Sequence, residues 1–152
     1  MSRWPDKYVI GLTGNIATGK SVVRKMLEHL GAYGIDADAL SHRAIAKGAP
    51  GYHEVIRAFG EYVLGPDGEI DRARLGRMAF ADAHALARLE GIVHPLVRQA
   101  VEFLGARSRS PVIAIEAIKL LESPLRAYCD ALWVADAPEE VQLARLLDKR
   151  GM

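Results

Sequence analysis

The chain has 152 residues, half of them hydrophobic, with 20 Lys and Arg against 19 Asp and Glu and a formal charge of +1. That length suits one domain, which buries roughly 68–70% of the surface its unfolded chain exposes. No apolar run approaches the roughly 20 residues that cross a bilayer, no signal-peptide core follows Met1, and the balanced charge supplies no field toward nucleic acid or an anionic membrane. The single cysteine, Cys129, excludes an internal disulfide and a cysteine-based metal cluster and is expected to be a small buried hydrophobe. The chain therefore reads as a soluble, cytoplasmic monomer in which any positive site is local.

In chain order, Tyr8 to Thr13 is a short β-rich run ending in a glycine turn. A helix is expected from Lys20 to about Leu30, with Val22, Val23, Met26, Leu27 and Leu30 on one apolar face and Gly31 as its stop. Ala32 to Ile35 forms a weak second strand leading into Asp36, and Ala39 to Ala46 is helical. From about Tyr52 to Gly105 the pattern is helical throughout, punctuated by the GPDG turn at Gly65 to Gly68, by Asp82, and by His94-Pro95, where the proline is expected to open a new helix. This middle stretch, about 50–108, reads as a helical insertion within a single domain.

Pro111 to Ala117 and Ala131 to Ala135 return to apolar runs of strand length. A last helix starts near Pro138, with Val141, Leu143, Ala144, Leu146 and Leu147 as its apolar set. Continuous apolar strands separated by helices predict an α/β fold with a parallel sheet covered on both faces.

The chemistry concentrates in Gly14-Asn15-Ile16-Ala17-Thr18-Gly19-Lys20-Ser21, which fits G-x-x-x-x-G-K-[ST] between a strand and a helix. Glycines let backbone N–H groups curl around an anion, and the helix N-terminus adds partial positive charge. Lys20 can reach the β and γ phosphates, the Ser21 hydroxyl can ligate Mg²⁺, and Val22 continues the loop into the helix. Such a loop does not distinguish kinases from ATPases or GTPase switches.

The acidic stretch GIDADALSHR that follows the second strand narrows the choice. With IGLTGNIATGKS, GEIDRARLGRMAF, LEGIVHPLVRQ and LWVADAPEEVQLARLLDKRG, it makes the chain resemble the dephospho-CoA kinases, in family order over nearly the whole length. The resemblance implies a three-layer P-loop kinase fold with strand order second, third, first, fourth. It also implies transfer of the ATP γ-phosphoryl group to the 3′-hydroxyl of dephospho-CoA, with Mg²⁺.

Carried residue by residue, the resemblance places the acceptor carboxylate on Asp38, with Lys20 as the other catalytic group. It puts His94 at the substrate and Arg145 and Arg150 near a lid over ATP, while Lys119, outside the family's pattern, is read from its own charge as an extra phosphate contact at the substrate. Local alternatives stand beside these roles: Asp36 or Asp38 can cap a helix, His94 can be structural, and Glu116 can hold a metal-bound water or close a strand. Arg43, Arg72, Arg74 and Arg77 can meet phosphates or lie solvated, while Arg107 and Arg109 read as a solvated turn.

The chain departs from the family's pattern at Glu116, usually Asp, at Ile118, usually Pro, and at Lys119, usually Leu. The family also continues beyond the point where this sequence stops, so a shortened lid and weak turnover are expected. The rival readings are another small-molecule P-loop kinase and a nucleotide-binding regulatory module without catalysis.

Overall fold

Tyr8–Thr13 forms strand β1, and burial of Val9, Ile10 and Leu12 (0%, 6% and 1% exposed) makes it a central element. The computed structural model describes residues 4–15 and 18–150. After β1 come α1 (Lys20–His29), β2 (Tyr33–Asp36), α2 (Ala37–Ala44), α3 (Pro50–Phe59), α4 (Arg72–Phe80) and α5 (Ala83–Arg107). Strand β3 (Val112–Glu116), short 3-10 turns at Leu120–Glu122 and Pro124–Tyr128, β4 (Ala131–Val134) and α6 (Glu139–Arg150) complete the order.

The four strands pair in the order β2-β3-β1-β4, all parallel, which is the expected order. Parallel register aligns the strand ends: Asp36 lies opposite Glu116, and Thr13 opposite Val134. The polar residues that close β1, β2 and β3 therefore gather along one edge of the sheet, its C-terminal edge. In open α/β sheets this is where ligands bind.

The described residues divide into two compact units. The first takes the chain up to Asp38 and from Glu102 onward, and contains the whole sheet. Its core includes Ile10, Leu12 and Ala114, with Val23 and Leu27 of α1 packed against them. This partly buried pair on α1 corrects the expected face: Val22, Met26 and Leu30 are 59%, 61% and 81% exposed. At about 100° per residue, positions 22, 26 and 30 make a separate stripe beside 23 and 27, and the sheet contacts only one of the two.

The second strand run behaves similarly. β3 lies inside the sheet and is buried through Ile113, Ala114 and Ile115, whereas β4 is an edge strand with Trp133 and Val134 46% and 63% exposed. The apolar set of α6 also stands largely open among the described residues, with Leu143 and Leu147 57% and 44% exposed. Coverage of both faces thus holds for β3 and not for β4.

The second unit, Ala39–Val101, is helical with one antiparallel bridge between Leu64 and Ile70 across the Gly65–Gly68 turn. Its core joins Ile45, Tyr52, Val55, Phe59, Val63, Ile70 and Leu75. Helix starts here are chemically explicit. Pro50 sits in the first turn of α3, the Asp71 carboxylate accepts the Ala73 and Arg74 amides to cap α4, and Asp82 accepts the His84 amide at the start of α5.

Pro95 does not open a helix: α5 runs through it from Ala83 to Arg107. An interior proline removes one backbone bond and costs about 3 kcal/mol or more. Burial on both sides offsets it, with Leu89, Ile92 and Val93 packed on the core before Pro95 and Val97 and Val101 buried after it. Among the described residues no helix is long and apolar enough to cross a membrane.

Candidate active site

The loop after β1 has its shape from glycine at two points. Gly14 has φ +150°, and a Cβ there would collide with the Ala135 carbonyl oxygen; Gly19 has φ +96° and leads into α1. Between them the Thr18 hydroxyl donates to the Asn15 carbonyl at 2.8 Å, closing the loop on itself. Helix α1 has no side-chain cap and no acidic residue in its first turn, so its N-terminal dipole carries no competing negative charge. Lys20 is buried (8% exposed) at this helix start. Ile16 and Ala17 lie outside the described residues.

Glu116 closes β3 and is only 3% exposed. Each of its oxygens is held from α1: the Ser21 hydroxyl donates to Oε2 at 3.2 Å and the Arg24 Nε donates to Oε1 at 3.2 Å. Arg24 is paired in turn with Glu28, one turn further along. Burial alone would lower the Arg24 pKa, but the hydrogen bonds and charges of Glu116 and then Glu28 outweigh it and raise the pKa above its ordinary value. Glu116 thus does more than end a strand, since it is tied to the phosphate-loop serine.

Asp38 lies inside the first turn of α2, one residue past its start at Ala37, so it is not that helix's N-cap. Its Oδ2 accepts the Ile118 amide at 3.0 Å. The carbonyl of the same residue accepts the Thr13 hydroxyl at 2.9 Å. One peptide segment after β3 therefore links the end of β1 to the carboxylate after β2. The departure at Ile118 has a visible effect here, because a proline would have no N–H to donate to Asp38.

Lys119 follows on an exposed turn and lines a cavity of about 250 Å³ with Gly14, Asn15, Glu122 and Asp136. Arg145 of α6 brings Nη1 to 3.5 Å from the point a Cβ on Gly19 would occupy, so its guanidinium lies over the loop. The Arg150 side chain is outside the described residues. Within the sheet-bearing unit the structure thus gathers the loop, Lys20, Ser21, Glu116, Asp38, Lys119 and Arg145 at one sheet edge.

His94 belongs to the helical unit, where it lines a cavity of about 230 Å³ with Ser41, Arg72, Ile45, Leu75 and Val93. Other arginines have structural partners. Arg74 pairs with Asp71 and donates to the Tyr62 and Leu64 carbonyls, and Arg107 stacks over Phe103. Arg43 and Arg77 are exposed.

Sequence reasoning missed Arg24. Its spacing to Glu28 is a visible i,i+4 signal, but Glu116 is 92 residues away and no local pattern connects the two.

No group of three or more His, Cys, Asp or Glu side chains among the described residues could hold a metal by itself. One hydroxyl backed by a buried carboxylate suits Mg²⁺, a hard cation that keeps most of its coordination for water and substrate phosphates.

A profile described as dephospho-CoA kinase matches residues 8–152. The chain is similar to the dephospho-CoA kinase of Moorella thermoacetica, 42% identical with 92% of this chain and 68% of that protein covered. It is also similar to that of Geobacter sulfurreducens, at 43% identity over 95% of this chain and 75% of the relative. Among solved structures, TT1252 from Thermus thermophilus superimposes with a TM-score of 0.84 at 34% identity, over 96% of this chain and 74% of that one. A dephospho-CoA kinase from Campylobacter jejuni shares the fold, with a TM-score of 0.60 at 22% identity, over 97% of this chain and 74% of its own.

Proposed function

The chain belongs to the dephospho-CoA kinase family, and on that premise we propose that it phosphorylates dephospho-CoA with ATP in the cytoplasm, giving CoA and ADP. The observation that carries the mechanism is the shared sheet edge. The phosphate loop follows β1, Asp38 follows β2, and the Ile118 segment that holds Asp38 is also bonded to Thr13 at the end of β1. The groups read here as donor and acceptor sides thereby share one hydrogen-bonded segment at the sheet edge.

In this reading the loop amides and Lys20 hold the β and γ phosphates of ATP. The 3′-hydroxyl oxygen attacks the γ phosphorus, the bond to the β–γ bridging oxygen breaks, and ADP leaves with that electron pair. The hydroxyl proton passes to Asp38, whose Oδ1 we assign to it because Oδ2 is engaged by Ile118. The transition state of such transfers is loose, so orientation by Asp38 contributes more than its basicity.

Arg145 is proposed to meet charge on the transferring group, a reading supported by its Nη1 lying beside Gly19. Ser21 would hold Mg²⁺ with Glu116 behind it. A bound Mg²⁺ supplies charge neutralisation at the β and γ phosphate oxygens. Lys119 and His94 are proposed as acceptor contacts, each from the cavity it lines within its own unit.

The test is ADP release with dephospho-CoA, shikimate and nucleoside monophosphates offered as competing acceptors. Release that depends on dephospho-CoA alone, with CoA as the product, is the expected result. Preference for another acceptor would overturn the assignment, and binding of ATP without transfer to any of them would turn it into a nucleotide-binding module.

A further inference from the structure

Between strand β2 and the phosphate loop runs a line of contacts that the proposed reaction does not by itself require. It begins at Gly34 in β2, where a Cβ would collide with the Glu28 carboxylate. Glu28 pairs with Arg24, Arg24 pairs with Glu116, and Glu116 accepts the Ser21 hydroxyl. All five residues belong to the sheet-bearing unit.

Two features separate this line from an ordinary surface ion pair. The Glu116 and Arg24 side chains are 4% and 16% exposed, so their charges meet where water screens them poorly. Arg24 and Ser21 are also three apart on α1, hence on the same helix face, and each takes one oxygen of the same carboxylate. Removing Arg24 would leave a buried carboxylate without its cation, free to turn its Oε2 away from Ser21.

We propose that Arg24 is a positioning residue for the donor site: through Glu116 it orients the Ser21 hydroxyl toward the metal of a bound metal–nucleotide complex, with Glu28 and Gly34 holding Arg24 in place. The Ser21 proton is committed to Glu116, so the oxygen lone pairs remain for a hard cation. Gly34 matters through space, because any side chain there must displace Glu28. This role rests on the reading that the chain takes its nucleotide with Mg²⁺.

The test is calorimetric titration with ADP, with and without Mg²⁺, on the chain as it stands and on Arg24→Met, Arg24→Lys and Gly34→Ala. Metal-free ADP affinity should stay nearly constant. The gain in affinity that Mg²⁺ brings should fall about tenfold in Arg24→Met, at the low end of the roughly 10–100-fold seen when partners of metal ligands are removed. Arg24→Lys should recover part of that gain, and Gly34→Ala should lose a smaller part of it in the same direction.

Equal weakening of ADP with and without the metal would mean that Arg24 only supports the fold, and an unchanged metal-dependent gain would overturn its positioning role outright. Should Arg24→Met fail to fold by circular dichroism, Arg24→Lys and Gly34→Ala decide by the same criterion. A wild-type chain with no metal-dependent gain would instead refute the Mg²⁺ reading beneath the proposal.

Discussion

Polar side chains do different work at the C-terminal edge of the sheet and in the helical unit. At the sheet edge their partners are other groups of the candidate site: Ser21 with Glu116, Glu116 with Arg24, and Asp38 with the Ile118 amide. In the helical unit they serve helix ends and turns. Asp71 caps α4, Asp82 receives an amide of α5, Asp67 accepts the Glu69 amide, and Arg88 donates to the Ala58 carbonyl. The difference teaches that one region spends its hydrogen bonds on holding chemistry in place and the other on holding helices together.

If that is right, substitutions at the two places should separate rate from stability. The largest effect is expected at Lys20, buried at the start of α1. Lys20→Met should lower kcat/KM by on the order of 10³, as loss of a preorganised charge-stabilising donor does, without loss of folding stability. Steady-state ADP release beside a urea titration reads both quantities.

Phe59→Ala, in the buried cluster of the helical unit, should give the converse. A loss of about 3–5 kcal/mol in unfolding free energy is expected from removing a core phenylalanine. A change of less than about 1 kcal/mol would show that the cluster is not a tightly packed core.

Asp71→Ala should remove about 1 kcal/mol by uncapping α4, with the metal-dependent ADP affinity unchanged. A shift in that affinity would break the division of labour, because Asp71 has no partner at the sheet edge among its described hydrogen bonds.

The smallest effect concerns Cys129, whose thiol is pushed up to about 11 by burial and then by the neighbouring Asp130 charge. The thiolate is the reactive form, so alkylation should be slow at pH 8 and accelerate as pH rises toward 11. Folding stability should decline over the same window, since the unfolded thiol ionises first and the neutral form favoured by the fold is lost as pH passes the folded value. Rapid labelling at pH 8 would contradict the burial.

How much of this was legible beforehand follows from sequence distance. The phosphate loop could be read because its eight residues are contiguous and each has a mechanism, and β1 and β3 because strands inside a parallel sheet are short apolar runs. The Gly65–Gly68 turn and the start of α5 at Asp82 were marked by residues that cap and turn locally. Pro95 misled for the opposite reason. A proline is a local signal against a continuous helix, and here packing of Val93 on the core before it and burial of Val97 after it prevail.

On α1, periodicity merged two neighbouring stripes because sequence shows which residues are apolar and not which of them face the sheet. The contacts that organise the site lay beyond any local pattern. Ile118 meets Asp38 across 80 residues, and Arg24 meets Glu116 across 92. Such pairs become neighbours only when parallel register brings strand ends to one edge.

The central claim is that Asp38 orients the acceptor hydroxyl and receives its proton at that edge. Asp38→Asn keeps the size of the side chain and an oxygen able to accept the Ile118 amide, so it removes the base and leaves the scaffold. The most direct measurement is the rate of CoA formation from ATP and dephospho-CoA, with ATP affinity measured separately by calorimetry. Asp38→Asn should lower kcat by about 10²–10⁴ while ATP affinity is retained. Turnover at the wild-type rate would contradict the account.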